Sequence, residues 1–191
     1  MSEPYFTLCS GRPFRFMSPS EDDIHLDDIA HSLSHLCRFN GHSKVHYSVA
    51  THSIYCSFLV SEEHAFQALM HDATEAYVGD MISPLKSLIP DFKNFEERIW
   101  SVICAKYDIP VDLVPEVHEA DRAMLLAEAR DLLPPFGEPK FPELSTVDPA
   151  DFCVWKEGGP PVDQETSKAL FLIRAAQLRP DITELRELVV I

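Results

Sequence analysis

Ala68-Leu69-Met70-His71-Asp72-Ala73-Thr74-Glu75-Ala76-Tyr77 sets an imidazole and two carboxylates within one helical turn, in a segment otherwise apolar enough to be buried. Adjacent helical residues diverge by about 100°, whereas Glu75 follows His71 and Asp72 at a spacing that lies beside both. An ionised Asp beside a His on a buried helix is costly unless something compensates the charge, and a divalent cation is the economical compensator. The residues alone leave two readings open: a metal site, or a hydrogen-bonded Asp–His pair capping a neighbouring loop.

Outward from this stretch the helical spacing continues in both directions. Ser61 reads as the N-cap of a helix over 62–78, which Gly79 ends. Upstream, Val45, Val49, His52, Ile54 and Phe58 predict a helix over 45–60, after an Asn40-Gly41 turn. Asp22-Asp23 lead into a short helix over 25–36, and residues 4–20 read as an irregular or short extended arm. Downstream of the Ser83-Pro84 turn, Phe92, Phe95, Ile99, Val102 and Ile103 predict a helix through Tyr107. Pro115 opens another that closes near Pro134-Pro135. Residues 134–162, rich in Pro and Gly, predict a long loop, followed by closing helices over 164–178 and 182–189. Strand signals are nearly absent, so the expected architecture is an all-α bundle.

At 191 residues the chain suits one domain, 1–191, with ample core. It is 46% hydrophobic and 25% charged, ordinary for a globular protein, and its apolar runs are far short of a membrane span. The net charge of −15 argues against a nucleic-acid polymer as partner, since that requires basic stripes, but leaves room for a small phosphorylated molecule met by local cations. Five scattered cysteines, Cys9, Cys37, Cys56, Cys104 and Cys153, form no Cys-x-x-Cys pair and read as free thiols in a reducing compartment. With no signal-peptide pattern at Met1-Ser2-Glu3-Pro4, the expected location is the cytoplasm, or the host cytoplasm for a viral chain.

Three segments offer imidazole or acidic groups on predicted helices: His52, the His71-Asp72 pair, and Asp121. Singly, each has an ordinary structural explanation, and they form a site only if the bundle brings them together. Their order, His52 … His71-Asp72 … Asp121, resembles the HD-domain metal-dependent phosphohydrolases. Cys37-Arg38-Phe39-Asn40-Gly41-His42, Tyr47-Ser48-Val49-Ala50-Thr51-His52-Ser53, His71 through Asp80, and Ser83-Pro84-Leu85-Lys86 are similar to its compact deoxynucleotidase subgroup. That subgroup includes bacterial 5′-deoxynucleotidases and phage dATP triphosphohydrolases, and the resemblance covers about residues 25–133.

The resemblance implies an HD-domain helical bundle and a divalent metal ion (Co, Mn, Zn, Fe, Ni or Mg) held by His52, His71, Asp72 and Asp121. Mixed nitrogen and oxygen ligands suit such an ion, and four of them leave the open positions that a catalytic site needs. It further implies Glu75 as the catalytic proton-transfer residue and Arg38, whose planar fork matches phosphate, as a phosphate ligand. Lys86 is implied as a second phosphate contact, Asp80 as the group facing the sugar, and Phe39 as an aromatic near the base or sugar. A solvated lysine and a turn-capping aspartate are the plain readings of Lys86 and Asp80. The expected function is hydrolysis of phosphate from 2′-deoxynucleotides, leaning to adenine and including dATP, by a homo-oligomer, dimer or hexamer. A 5′-deoxynucleotidase acting on monophosphates is the alternative within the class, and a non-catalytic metal- and nucleotide-binding regulator the alternative outside it.

Overall fold

Helices dominate because most apolar residues recur at a spacing of three and four. The computed structural model describes residues 3–135 and 162–188. In chain order these form strands β1 (Tyr5–Thr7) and β2 (Pro13–Arg15), then helices α1 (Leu26–His35), α2 (Val49–Cys56), α3 (Ala65–Met70), α4 (Glu75–Val78), α5 (Ser83–Lys86), α6 (Pro90–Tyr107), α7 (Pro115–Leu132), α8 (Gln164–Leu178) and α9 (Thr183–Leu188). The all-α expectation holds, since a two-stranded antiparallel hairpin is the one sheet among the described residues. That hairpin is the arm expected over 4–20, pinned by Phe14, which is buried and stacked on Tyr77.

The helix faces explain the packing. In α1, Leu26, Ile29, Ala30 and Leu33 form one buried stripe, while the acidic Asp27 and Asp28 sit in the first turn, where the helix dipole favours them. Helix α2 is buried on nearly every side and packs against α1, α3, α7 and α8, so it is the central element. One apolar core runs from Leu8 to Leu185 and takes in Ile99 and Ile103 of α6 and Phe171 of α8. None of the described helices is long and apolar enough to cross a membrane. Most of the loop expected at 134–162, together with Cys153 and residue 189 of the expected closing helix, lies outside the described residues.

The helix expected over 45–60 ends at Cys56, and three further differences from expectation shape the site. Residues 45–48 are not helical: Cys37 and Ser48 form an antiparallel bridge, Arg38 N–H donates to Tyr47 O at 2.9 Å, and Val49 N–H donates to Leu36 O at 3.0 Å. These bonds tie the Arg38 segment to the start of α2. Ser61 does not cap a long helix, because its hydroxyl is taken by Glu116 and His64, and a 3₁₀ turn at Glu62–His64 intervenes. The expected 62–78 helix is broken at His71–Thr74, where Ala73 N–H bonds Met70 O, Glu75 N–H bonds Asp72 O and Tyr77 N–H bonds Thr74 O. These three-residue steps tighten the chain to 3₁₀ spacing, and the His71-Asp72 pair stands on that turn.

Candidate metal centre

His52 projects from α2, Asp121 from α7, and His71 and Asp72 from the tight turn after α3. They meet. His52 Nε2 lies 3.1 Å from Asp121 Oδ1 and 3.7 Å from Asp72 Oδ2. His71 Nε2 lies 3.3 Å from Asp72 Oδ2 and 3.8 Å from Asp121 Oδ1. The rings stand with centroids 5.3 Å apart.

Hydrogen bonds on the far side of each ring decide which nitrogen faces inward. His71 Nδ1 donates to Ala68 O at 2.7 Å, and its Nε2 is buried with no hydrogen-bond partner. His52 Nδ1 donates to Glu128 Oε1 at 2.7 Å. Both rings thereby turn an Nε2 lone pair toward two carboxylates, an arrangement that calls for positive charge. The electrostatics register this demand as protons. Burial and Arg38 oppose charge on His52, but Cys56, Glu128 and the bond to Asp121 outweigh them and raise its pKa well above the usual imidazole value. Burial likewise opposes charge on His71, yet Asp72 and Asp121 lift it to about 10. Burial pushes the Asp121 carboxyl up, but the two imidazoles pull it well below the carboxylate range. Cys56, one turn after His52, adds its sulfur, and the ligand atoms of His52, Cys56 and His71 lie within 4.8 Å of one another, a group able to hold a metal ion.

Above this floor opens a cleft of about 590 Å³, lined by Arg38, Phe39, Asp72, Glu75, Asp80, Lys86 and Asp121, with Met81, Ile82 and Leu125 among its walls. Its volume falls in the range of small-molecule sites, about 300–1,000 Å³. Every substrate-side residue expected from the sequence therefore faces one space. Arg38 is buried, with NH1 3.6 Å from Asp72 Oδ2. Lys86 donates to Glu96 Oε1 at 2.7 Å. Glu75 is buried, and its Oε2 has no hydrogen-bond partner. Burial first, then the charges of Asp72 and Asp80, raise the Glu75 pKa well above the carboxylate range. Burial and Asp72 also raise that of Asp80.

Three participants are missing from the sequence reading. Glu128 is fully buried and accepts from His52 Nδ1, from Tyr47 Oη at 2.9 Å and from Arg38 Nε at 2.9 Å. Tyr47 and Cys56 are the others. The available signal was spacing: Glu128 lies two turns after Asp121 on α7, flanked by the buried Ala127 and Ala129.

No known protein-family model matches the chain. It is 52% identical over 123 residues to the uncharacterized protein YfdR of Escherichia coli, an alignment covering 64% of this chain and 69% of YfdR. It is 31% identical over 140 residues to an uncharacterized protein of Rhodobacter capsulatus, covering 68% of this chain and 71% of that protein. An alignment of this identity and extent is one of common descent, and the chain belongs to the YfdR family.

Proposed function

We propose that the chain is a divalent-metal-dependent phosphohydrolase of 2′-deoxynucleotides, with His52, His71, Asp72 and Asp121 as metal ligands. The observation that carries this reading is the convergence of those four side chains, two of which, Asp72 and Asp121, line a cleft that also holds Arg38 and Glu75. Two of the four separations, 3.1 and 3.3 Å, match the spacing of neighbouring ligands on one ion, and the other two, 3.7 and 3.8 Å, exceed it by a few tenths of an ångström. Two ligand atoms about 2.1 Å from a metal at octahedral or tetrahedral angles stand about 3.0–3.4 Å apart. The unpartnered Nε2 of His71 fits it too. The sulfur of Cys56 fits less well. It lies 3.4 Å from Nε2 and 3.9 Å from Nδ1 of His52, and such similar distances put it over the ring face rather than along the Nε2 lone pair.

A bound ion supplies Lewis acidity toward a phosphoryl oxygen and eases deprotonation of water. The remaining work falls to the chain's own groups. Arg38 binds phosphoryl oxygens and, with Lys86, offsets the charge that spreads over them in phosphoryl transfer. As water attacks phosphorus and the bond to the leaving oxygen breaks, Glu75, held protonated by burial and its acidic neighbours, gives its proton to the leaving oxygen, and the proton shed by the water restores the carboxylic acid. Asp80 accepts a hydrogen bond from the sugar 3′-hydroxyl, and Phe39 packs by the sugar or base. The preferred substrates are adenine deoxynucleotides, dATP included, and the active form is a homo-oligomer.

Incubation of the metal-loaded protein with each dNTP and dNMP, following release of phosphate, pyrophosphate and triphosphate, tests this. Metal-dependent turnover strongest on dATP is expected. Turnover on monophosphates alone makes the protein a 5′-deoxynucleotidase, and binding without turnover makes it a regulator.

A further inference from the structure

We propose that Glu128 is the positioning residue of the centre: one buried carboxylate that sets the tautomer of His52 and aims the guanidinium of Arg38. The inference rests on the reading of His52 as a metal ligand and Arg38 as a phosphate ligand.

A fully buried carboxylate is expensive unless hydrogen bonds and charge compensate it. Glu128 has three donors. Oε1 accepts from His52 Nδ1 at 2.7 Å and from Tyr47 Oη at 2.9 Å, and Oε2 accepts from Arg38 Nε at 2.9 Å. Each bond has a consequence in the cleft. A proton fixed on His52 Nδ1 leaves the Nε2 lone pair facing Asp121 at 3.1 Å. Glu128 and Asp121 lie on one face of α7, so a single helix grips the imidazole at both nitrogens. Engagement of Arg38 through Nε leaves its NH1 edge toward the cleft, 3.6 Å from Asp72. Metal ligation and phosphate binding therefore share one anchor, reached from three separate stretches of the chain.

Glu128→Gln tests this at constant size. An amide has one acceptor oxygen and a donor nitrogen, so it sets N–H groups against either Arg38 Nε–H or the pair from His52 and Tyr47. Loss of such an outer partner of a ligating histidine lowers metal affinity by about 10–100-fold. We expect Glu128→Gln, folded by circular dichroism, to bind cobalt(II) that much more weakly in calorimetric titration. At saturating cobalt it should also bind inorganic phosphate several-fold more weakly. A folded variant with wild-type affinity for either probe overturns the inference. Wild-type protein that binds no cobalt overturns the metal reading itself. Should the variant fail to fold, long-range proton–nitrogen spectra of the zinc-loaded wild type decide: His52 protonated at Nδ1 and metallated at Nε2 supports the assignment, and the reverse tautomer overturns it.

Discussion

Glu75 shows most directly how burial converts a common residue into a candidate acid. It stands at the first position of α4, its Oε2 has no hydrogen-bond partner, and burial reinforced by Asp72 and Asp80 keeps its proton on. Replacement by Gln keeps the shape and removes the proton to be transferred. Glu75→Gln is expected to cut single-turnover hydrolysis by about 10²–10⁴-fold while dATP still binds. If Glu75 donates its proton as proposed, the wild-type rate is expected to fall as pH rises through the raised pKa of Glu75, and this limb should be absent in the variant. Arg38 is judged by a different measurement. Arg38→Lys keeps the charge but loses the planar fork and the Nε bond to Glu128. Thermal unfolding is expected to register a loss of about 1–3 kcal/mol, the scale for weakening a buried charged hydrogen bond, and KM should rise more than kcat falls.

Among the elements, the turn carrying Arg38 and Phe39 is where backbone chemistry matters most. Phe39, Asn40 and Gly41 have φ of 56°, 51° and 75°, three consecutive left-handed residues, only the last of which is glycine. A bulky residue there costs about 1–3 kcal/mol and persists only where surrounding structure imposes it. The imposing structure is the Cys37–Ser48 bridge on one side and Arg38 anchored to Glu128 on the other. At Gly41 an added Cβ meets nothing within 4 Å. Gly41→Ala therefore isolates the conformational term, and a loss of about 1–2 kcal/mol in chemical denaturation is expected. The long elements were legible because apolar spacing carries α6 and α7 through and Pro115 opens α7. The break at His71–Thr74 was not, since the stretch has good helical spacing and no glycine or proline to mark a change of hydrogen-bond step. Residues 45–48 were misread for a related reason: their pairing partner at Cys37 lies across a turn, and helical periodicity is blind to it.

At the scale of the molecule, residues of α2, α7 and the turn after α3 meet at the centre, so an ion bound there is expected to raise stability. Without metal, positive charge comes from protons on His52 and His71, whose pKa values are raised, in the latter case from 6.5 to about 10. A group of raised pKa contributes stability that is full below its unfolded value and lost as pH climbs through its folded value. The metal-free protein is therefore expected to lose melting temperature from about pH 6.5 upward toward pH 10. Cobalt or manganese should remove that loss and raise the melting temperature, with about 2.7 kcal/mol gained at a hundredfold excess over Kd. Four dispersed ligand candidates could be picked out of the sequence because His71-Asp72 lies in an apolar run and His52 and Asp121 keep a recognisable order around it. Glu128 could not, because on α7 it reads as one more acid of a helix that carries several, and only the packed bundle places it behind His52. The most direct measurement is anomalous diffraction at the cobalt edge from crystals grown with cobalt(II). One strong peak is expected about 2.0–2.2 Å from Nε2 of His52 and His71 and from carboxylate oxygens of Asp72 and Asp121. A peak on Cys56 in place of the aspartates, or no peak in the cleft, would contradict this ligand set.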